Sequence, residues 1–394
     1  MDIAYTSAQQ ALQQRVAAYM QSIATPDLLD EMKDPEYFEG GGPVFKEKLR
    51  QLGRDGWLGL AWPVALGGRG IGAVEQYIFT EEVIKSGFPY PFLTTDAVGP
   101  VLAEHGNEFI QETVVKKILQ GETIIAVGYS EPSAGTDLAS LTTRADRDGE
   151  DWIINGQKIW TSMGHFADYI WLAARTNQDP QIKKHKGITM FLVPTDLPGF
   201  AHTPIRTMGF RTNATYYENI RLADKYRVGE IDGGWKLITG QLNRERFSLA
   251  NPGMLSGLFQ QVCQWCAKTR DSSGHPLMLI PWVKQNLAQV QMGLATLRLL
   301  CWKQAWAMER GQLNMADASV AKVYGSEFFV EAYRLLLEVM GQSGTLREDS
   351  AGAILQGKLE QRYRFGSVLT FGGGTNEVQR DIIAAAGLLM PRNR

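Results

Sequence analysis

Two stretches decide how this chain is read: Gly128-Tyr-Ser-Glu-Pro-Ser-Ala-Gly-Thr-Asp-Leu-Ala-Ser140 and, a little further on, Asn155-Gly-Gln-Lys-Ile-Trp-Thr-Ser162. The first combines backbone-turning residues with hydroxyl donors at Ser130, Ser133, Thr136 and Ser140 around Gly135. Such a loop suits a polar, phosphate-bearing ligand, because glycine lets the backbone approach and hydroxyls donate without adding charge. The second ends an apparent strand on Trp160, Thr161 and Ser162, an aromatic plane beside two hydroxyls. A heteroaromatic ring with carbonyls and ring nitrogens requires such surroundings. Either stretch alone reads equally well as a surface loop or an ordinary edge strand.

Around these stretches, from Thr123 to about Gly229, the chain runs in short alternating segments with turn signals. Asp148-Gly149 and Asn155-Gly156 are hairpin markers. Trp152-Ile-Ile, Tyr169-Ile-Trp-Leu-Ala, Ile188-Thr-Met-Phe-Leu-Val and Tyr216-Tyr-Glu-Asn-Ile-Arg-Leu read as strands, punctuated at Pro194, Pro198-Gly199 and Pro204. Seven or so strands without helical crossovers imply a compact β barrel or sandwich over 123–230. Residues 1–122 read as helical. Leu12, Val16 and Met20 recur behind a Ser7 cap, Phe45, Leu49 and Leu52 mark a second helix, and a third runs from Val74 to Ser86. The glycine cluster Leu66-Gly-Gly-Arg-Gly70 matches no nucleotide-loop spacing and reads as a turn. After Gly233-Gly234, over 231–394, Val283, Leu287, Val290, Leu294, Leu297 and Cys301 trace one long apolar helix face. Further helices over Ala318–Met340 and Thr375–Gly387 imply a four-helix bundle. The fold class is α+β multidomain, in the order helical domain, β domain, helical bundle.

Composition narrows the function classes. A chain of 394 residues with 44% hydrophobic and 21% charged residues reads as an ordinary globular protein. A formal charge of −2 argues against a nucleic-acid binder. No apolar run approaches a membrane span, no signal peptide is visible, and three cysteines fit a reducing, cytoplasmic compartment. Cys263 and Cys266 form a C-x-x-C inside a helical pattern, where core placement is the better reading. The five histidines show no metal-ligand spacing, so no metal is expected.

Together the two stretches resemble the acyl-CoA dehydrogenase family of flavoproteins, with Tyr129 at a position usually aliphatic, and the resemblance extends over nearly the whole chain. Gly56-Trp-Leu-Gly-Leu-Ala-Trp-Pro63 resembles a family turn, with Val64 replacing the usual acid. Gly372-Gly-Gly-Thr-Asn-Glu-Val-Gln-Arg380 resembles the family's C-terminal segment. The resemblance implies FAD between barrel and bundle. It places Tyr129 and Ser130 along the pyrimidine side of the flavin, Trp160 against the ring, Thr161 near N5, and Ser162 towards the phosphates. Thr136, Thr375 and Glu377 join the same cofactor set, and a helix N-terminus at Thr375 can meet an anion. Arg270-Asp-Ser-Ser-Gly274 resembles a segment that reaches a neighbouring subunit's pyrophosphate, but Ser273 replaces a Phe and Pro281 a later Gln. Glu338-Val-Met-Gly-Gln-Ser-Gly344 departs from its family pattern at Glu338 and Gln342, and a carboxylate near pyrophosphate repels it unless neutralised.

The resemblance also implies the reaction: a base removes the Cα proton of an acyl-CoA thioester and flavin N5 accepts the Cβ hydride. Family members often carry the base just before the Gly-Thr of the last helix; here Gly373 stands there and offers only a backbone N–H. Leu242-Asn-Arg-Glu-Arg-Phe247 resembles the alternative base-bearing helix and makes Glu245 the candidate, with Asn243, Arg246 and Thr136 towards substrate. Neighbours at i±1 on a helix do not share a face, so Glu245 can face the flavin while Arg246 faces a CoA phosphate. Implied partners are an electron-transfer flavoprotein and either further copies or an unlike dehydrogenase subunit. A flavin oxidase or monooxygenase of this fold, and a non-catalytic subunit of a heteromeric dehydrogenase, are the competing readings.

Overall fold

The computed structural model describes residues 4–34, 36–348 and 350–391. In chain order it is helical, then strand-rich, then helical again, as the sequence pattern predicts. By compactness the chain forms two units. One comprises residues 1–25, 72–88 and 246–394, the other 26–71 and 89–245.

In the first unit the helix Ser7–Ile23 buries Leu12, Val16, Met20 and Ile23. Full burial of such side chains contributes roughly 1.5–3 kcal/mol each. Its cap is Thr6, not Ser7. The Thr6 hydroxyl accepts from Gln9 N (3.2 Å), and Thr6 N donates to the Gln9 side chain (3.0 Å). Ser7 is already helical, so only Thr6 sits three residues ahead of the reciprocating Gln9. The helix Ala73–Lys85 packs beside it. Helices Gly253–Lys268, Pro281–Glu309 and Met315–Met340 supply the long bundle elements. On Pro281–Glu309 the expected face, Val283 through Cys301, is buried. Cys266 is buried and Cys263 partly so, both as free thiols.

In the second unit eight strands form one mixed sheet: β1 (Ile125–Gly128), β2 (Arg144–Asp148), β3 (Asp151–Lys158), β4 (Tyr169–Arg175), β5 (Ile188–Pro194), β6 (Phe200–Arg206), β7 (Arg211–Ala223) and β8 (Arg227–Val228). The order is β6-β7-β3-β2-β4-β5-β8, with β1 parallel to β4. β2 and β4 meet only at Arg144–Arg175, which nearly divides the sheet in two. Every residue of β5 is buried, whereas β6 is an exposed edge strand. Pro204 therefore lies within a strand rather than between strands, since an edge tolerates its missing N–H. Trp62, Val114, Ile125, Trp171, Met190 and Ile238 belong to the core beneath the sheet.

Asp148-Gly149 turns between β2 and β3 as expected, but Asn155-Gly156 does not turn. It forms a bulge inside β3, where pairing with β7 slips between Ile154 and Gly156. A Cβ on Gly156 would meet Thr143 Cα at 2.7 Å, and Asn155 Oδ1 accepts from Asn219 N (2.9 Å). Close backbone approach, not chain reversal, requires this glycine. Among the described residues no helix is long and apolar enough to cross a membrane, and no cluster of three His, Cys, Asp or Glu could hold a metal ion.

Candidate active site

In the second unit the loop after β1 is shaped by one buried ion pair. Glu131 (4% exposed) accepts from Thr142 N (2.6 Å), Thr142 Oγ1 (2.7 Å), Thr143 N (2.8 Å) and Lys158 Nζ (2.8 Å). Lys158, fully buried on β3, also donates to Tyr129 O (3.0 Å). Burial raises the Glu131 carboxyl, but the Lys158 ammonium and the hydroxyl and amide donors outweigh it and hold it at about 2. Burial pulls Lys158 down to about 8 against the opposing pull of Glu131, so both remain charged at neutral pH. A tight turn, with Glu131 N to Ala134 O at 2.9 Å, then presents Ser133, Gly135 and Thr136 on the surface, with Ser130 half-buried beside them. A Cβ at Gly135 would meet nothing within 4 Å, so the chain's own contacts do not explain its missing side chain.

The second stretch runs past the end of β3, and its last three residues differ in exposure. Trp160 is 55% exposed, Thr161 is fully buried, and Ser162 is half-buried. Thr161 Oγ1 lies 3.1 Å from Thr215 Oγ1, which is 3.1 Å from the Tyr217 hydroxyl. Its backbone is clamped by Asn213, which accepts from Thr161 N (2.9 Å) and donates to Thr161 O (3.0 Å). Thr161 Oγ1 is thus turned toward Thr215, while the half-buried Ser162 hydroxyl lies 3.2 Å from Thr212 Oγ1. Trp160 and Met163 both carry left-handed backbones, with φ of 64° and 63°. Strain of this kind persists only where surrounding bonds enforce it, and it concentrates at functional sites. His165 completes the clamp, its Nδ1 3.2 Å from Asn213 Nδ2 and its Nε2 3.1 Å from Glu36 O. Burial pushes its pKa down to about 4, so the ring is neutral.

Glu245 lies on the helix Gly234–Leu249, one turn beyond Gln241. Gln241 Nε2 donates to Glu245 Oε2 (2.8 Å), and the Tyr129 hydroxyl donates to Gln241 Oε1 (2.9 Å). Tyr129 (8% exposed) also accepts from Trp171 Nε1 (2.8 Å), and burial pushes its phenol pKa well up. Its hydroxyl thus lies between Trp171 and Gln241. Asn243 is two residues from both Gln241 and Glu245, so it does not share their face and does not join the base. Arg244, desolvated by burial, has Glu104 at 3.9 Å.

In the first unit Arg246 (8% exposed) donates from Nε to Gly373 O (3.1 Å). It braces a turn. Lys322, 1% exposed, spends its ammonium on Thr370 O (3.0 Å), Gly374 O (2.8 Å) and Asn376 Oδ1 (2.7 Å). Burial, then Arg246, pushes it down to about 8. Gly373 sits at φ 67°, and no described residue accepts from its N–H. The Thr375 hydroxyl accepts from Val378 N (3.3 Å) as the cap of the short helix Asn376–Ile382, and Glu377 beside it is exposed. Hydrogen bonds at that helix start, from its own backbone and then from Thr375, lower the Glu377 pKa. Arg270 closes its own turn on Gly274 O (2.8 Å). Pro281 is the first residue of a helix, the position a proline suits best. Glu338 is neutralised by Arg334, one turn earlier, and accepts from Asn286 Nδ2 (3.0 Å).

Three signals in the sequence went unread. Lys158 and Gln241 in the second unit, and Lys322 in the first, each hold hydrogen bonds from a buried position. Only a lysine inside an apolar pattern, as at Lys158 and Lys322, could have betrayed two of them.

Three family models match in succession: the N-terminal, middle and C-terminal domains of acyl-CoA dehydrogenase, over residues 6–122, 126–221 and 232–388. The chain is 45% identical to acyl-CoA dehydrogenase FadE26 of Mycobacterium tuberculosis, covering 100% of this chain and 99% of that one. It is 41% identical to FadE29 of the same organism over 100% and 99%. Among solved structures it is similar to the ChsE4–ChsE5 complex of M. tuberculosis, with TM-score 0.91, 45% identity and full coverage of both chains. The Tcur3481–Tcur3483 steroid dehydrogenase gives TM-score 0.91 at 44% identity, again with full coverage of both chains.

Proposed function

The chain belongs to the acyl-CoA dehydrogenase family, and from that premise we propose that Glu245 is the base that takes the Cα proton of a bulky acyl-CoA thioester, leaving a trans-2-enoyl-CoA. The enzyme is an FAD-dependent oxidoreductase acting on a CH–CH bond. The residues present fit that cofactor: a hydroxyl loop at Ser130–Thr136, open space over Gly135, an exposed Trp160 plane, and the half-buried Ser162 hydroxyl two residues on. Bound FAD supplies the acceptor for the Cβ hydride. The chain's own residues bind, orient and move the proton. Glu131 and Lys158 hold the loop, the Asn213 clamp holds Trp160 outward, and Ser162 offers its hydroxyl to the cofactor.

The observation that carries the base assignment is a choice between two positions. Gly373, where a family base could sit, has no side chain, whereas Glu245 is a half-buried carboxylate held by a directed donor. Gly373 N–H can still polarise the thioester carbonyl, a contribution of about 3 kcal/mol when well placed. Arg246 and Lys322 serve that N–H by fixing the turn through its carbonyls. The proposed electron acceptor is an electron-transfer flavoprotein. The proposed assembly pairs this chain with an unlike dehydrogenase subunit, since the similar solved structures include a two-protein complex and a two-protein steroid dehydrogenase. The FAD site is then completed by the partner, in keeping with Arg270 closing on its own turn. The bulky substrate class rests on the same similarity.

The test is anaerobic titration with a panel of acyl-CoAs, run on the chain expressed alone and with a candidate partner. Bleaching of a bound flavin by a bulky or steroid-like acyl-CoA supports the reading. A protein that stays colourless with FAD and partner, or that prefers a short straight-chain thioester, contradicts it. Stoichiometric peroxide during turnover would favour an oxidase instead.

A further inference from the structure

A line of hydrogen bonds in the second unit has a direction. Trp171 (fully buried, on β4), Tyr129, Gln241 (fully buried) and Glu245 follow one another at 2.8, 2.9 and 2.8 Å. An indole N–H can only donate, so the Tyr129 oxygen must accept there and pass its own proton on. The only acceptor Gln241 offers is its carbonyl oxygen, which turns its NH₂ to face Glu245. An isolated glutamine amide could be drawn either way round; here the one-way indole settles it. All the donors point toward the carboxylate.

We propose that Gln241, locked by Tyr129 and Trp171, is the positioning residue for the base: it engages Glu245 Oε2, fixes the carboxylate's orientation and stabilises its ionised, proton-accepting form. A purely structural role explains less. Phe at both 129 and 171 with an aliphatic residue at 241 would pack apolar groups there with no buried polar atoms to satisfy, and buried polar chains are costly unless every member is bonded. Gln241 and Glu245 are spaced i,i+4, so they share one helix face and the amide can reach. Backbone and apolar neighbours hold Tyr129 and Trp171 rigidly, so the carboxylate inherits its position from the sheet as well as from its own helix.

This inference rests on Glu245 being the base, and the experiment separates the two. Gln241→Met, Tyr129→Phe and Glu245→Gln are prepared as the FAD-loaded assembly and reduced in single turnovers by acyl-CoA carrying hydrogen or deuterium at Cα. Gln241→Met is expected to slow flavin reduction about 10- to 100-fold, the loss that follows a reacting group misplaced by about 1 Å. Its α-deuterium isotope effect should rise, because proton removal becomes more rate-limiting, while substrate affinity stays within about twofold, as a shift in the transition state alone requires. Tyr129→Phe, which keeps the ring but frees the amide, should move the isotope effect the same way to a smaller extent, and decides the matter if Gln241→Met fails to assemble. Wild-type rate and isotope effect in both variants, beside an inactive Glu245→Gln, overturn the positioning role and leave the base intact. Near-normal reduction in Glu245→Gln overturns the base assignment, and the positioning role with it.

Discussion

Replacing Lys158 by Met removes the buried cation paired with Glu131 and leaves a side chain of similar length. Two groups then lose their partner. The Tyr129 carbonyl, 3.0 Å from Nζ, is left without that donor, and Glu131 keeps only the Thr142 and Thr143 donors around a carboxylate whose side chain is 2% exposed. Breaking one side of a buried pair costs about 3–5 kcal/mol, because an uncompensated charge remains inside. Glu131→Gln should cost a similar amount, whereas the double variant should lose clearly less than the sum. A double-mutant cycle in urea unfolding, followed by tryptophan fluorescence, reads the difference. The expected coupling is at least ~2 kcal/mol; additivity within ~0.5 kcal/mol would refute the reasoning, since that is how independent sites behave. The pH dependence has a definite sign. The folded-state pKa of Glu131, about 2, lies below its ordinary 4.5, so its contribution is fully present above that value and is lost as pH falls towards 2. The stability gap between wild type and Glu131→Gln should therefore hold steady from pH 7 to 5 and close only below.

Trp160→Gly should weaken FAD retention at least ~10-fold while leaving the apoprotein as stable or up to ~1 kcal/mol more so, because glycine accepts a positive φ that tryptophan adopts under strain; unfolding and flavin release measured on one preparation check both halves. Ser162→Ala should perturb the bound flavin's visible spectrum with little change in stability. Thr161→Val should leave that spectrum alone and cost about 1 kcal/mol of stability, by taking from the Thr215 hydroxyl one of its two partners while the Tyr217 hydroxyl remains. The opposite pattern would make Thr161 the cofactor contact.

The order helix, strand, helix was legible because period-three-and-four and period-two patterns are local, and Val16, Met20 and Val283 through Cys301 fall where the spacing places them. Asn155-Gly156 misled, because the same dipeptide that turns a hairpin also fits a bulge, and only the approach of Thr143 distinguishes them. The site was visible as motifs but not as orientations. Tyr129 meets Gln241 across 112 positions and Arg246 meets Gly373 across 127, so which way each side chain points is set by partners no window contains. The different surroundings of Thr161 and Ser162 have the same origin. Thr161 lies past the end of β3, after the left-handed Trp160, and its pairing with Asn213, 52 positions away, holds it inward.

The central claim is that Glu245 takes the proton, and stopped-flow reduction of the flavin by acyl-CoA in the assembled Glu245→Gln enzyme tests it most directly. The expected result is normal flavin and acyl-CoA binding with reduction slowed at least ~100-fold, the scale of a lost general base. Reduction at a near-normal rate would contradict the account and move the base elsewhere.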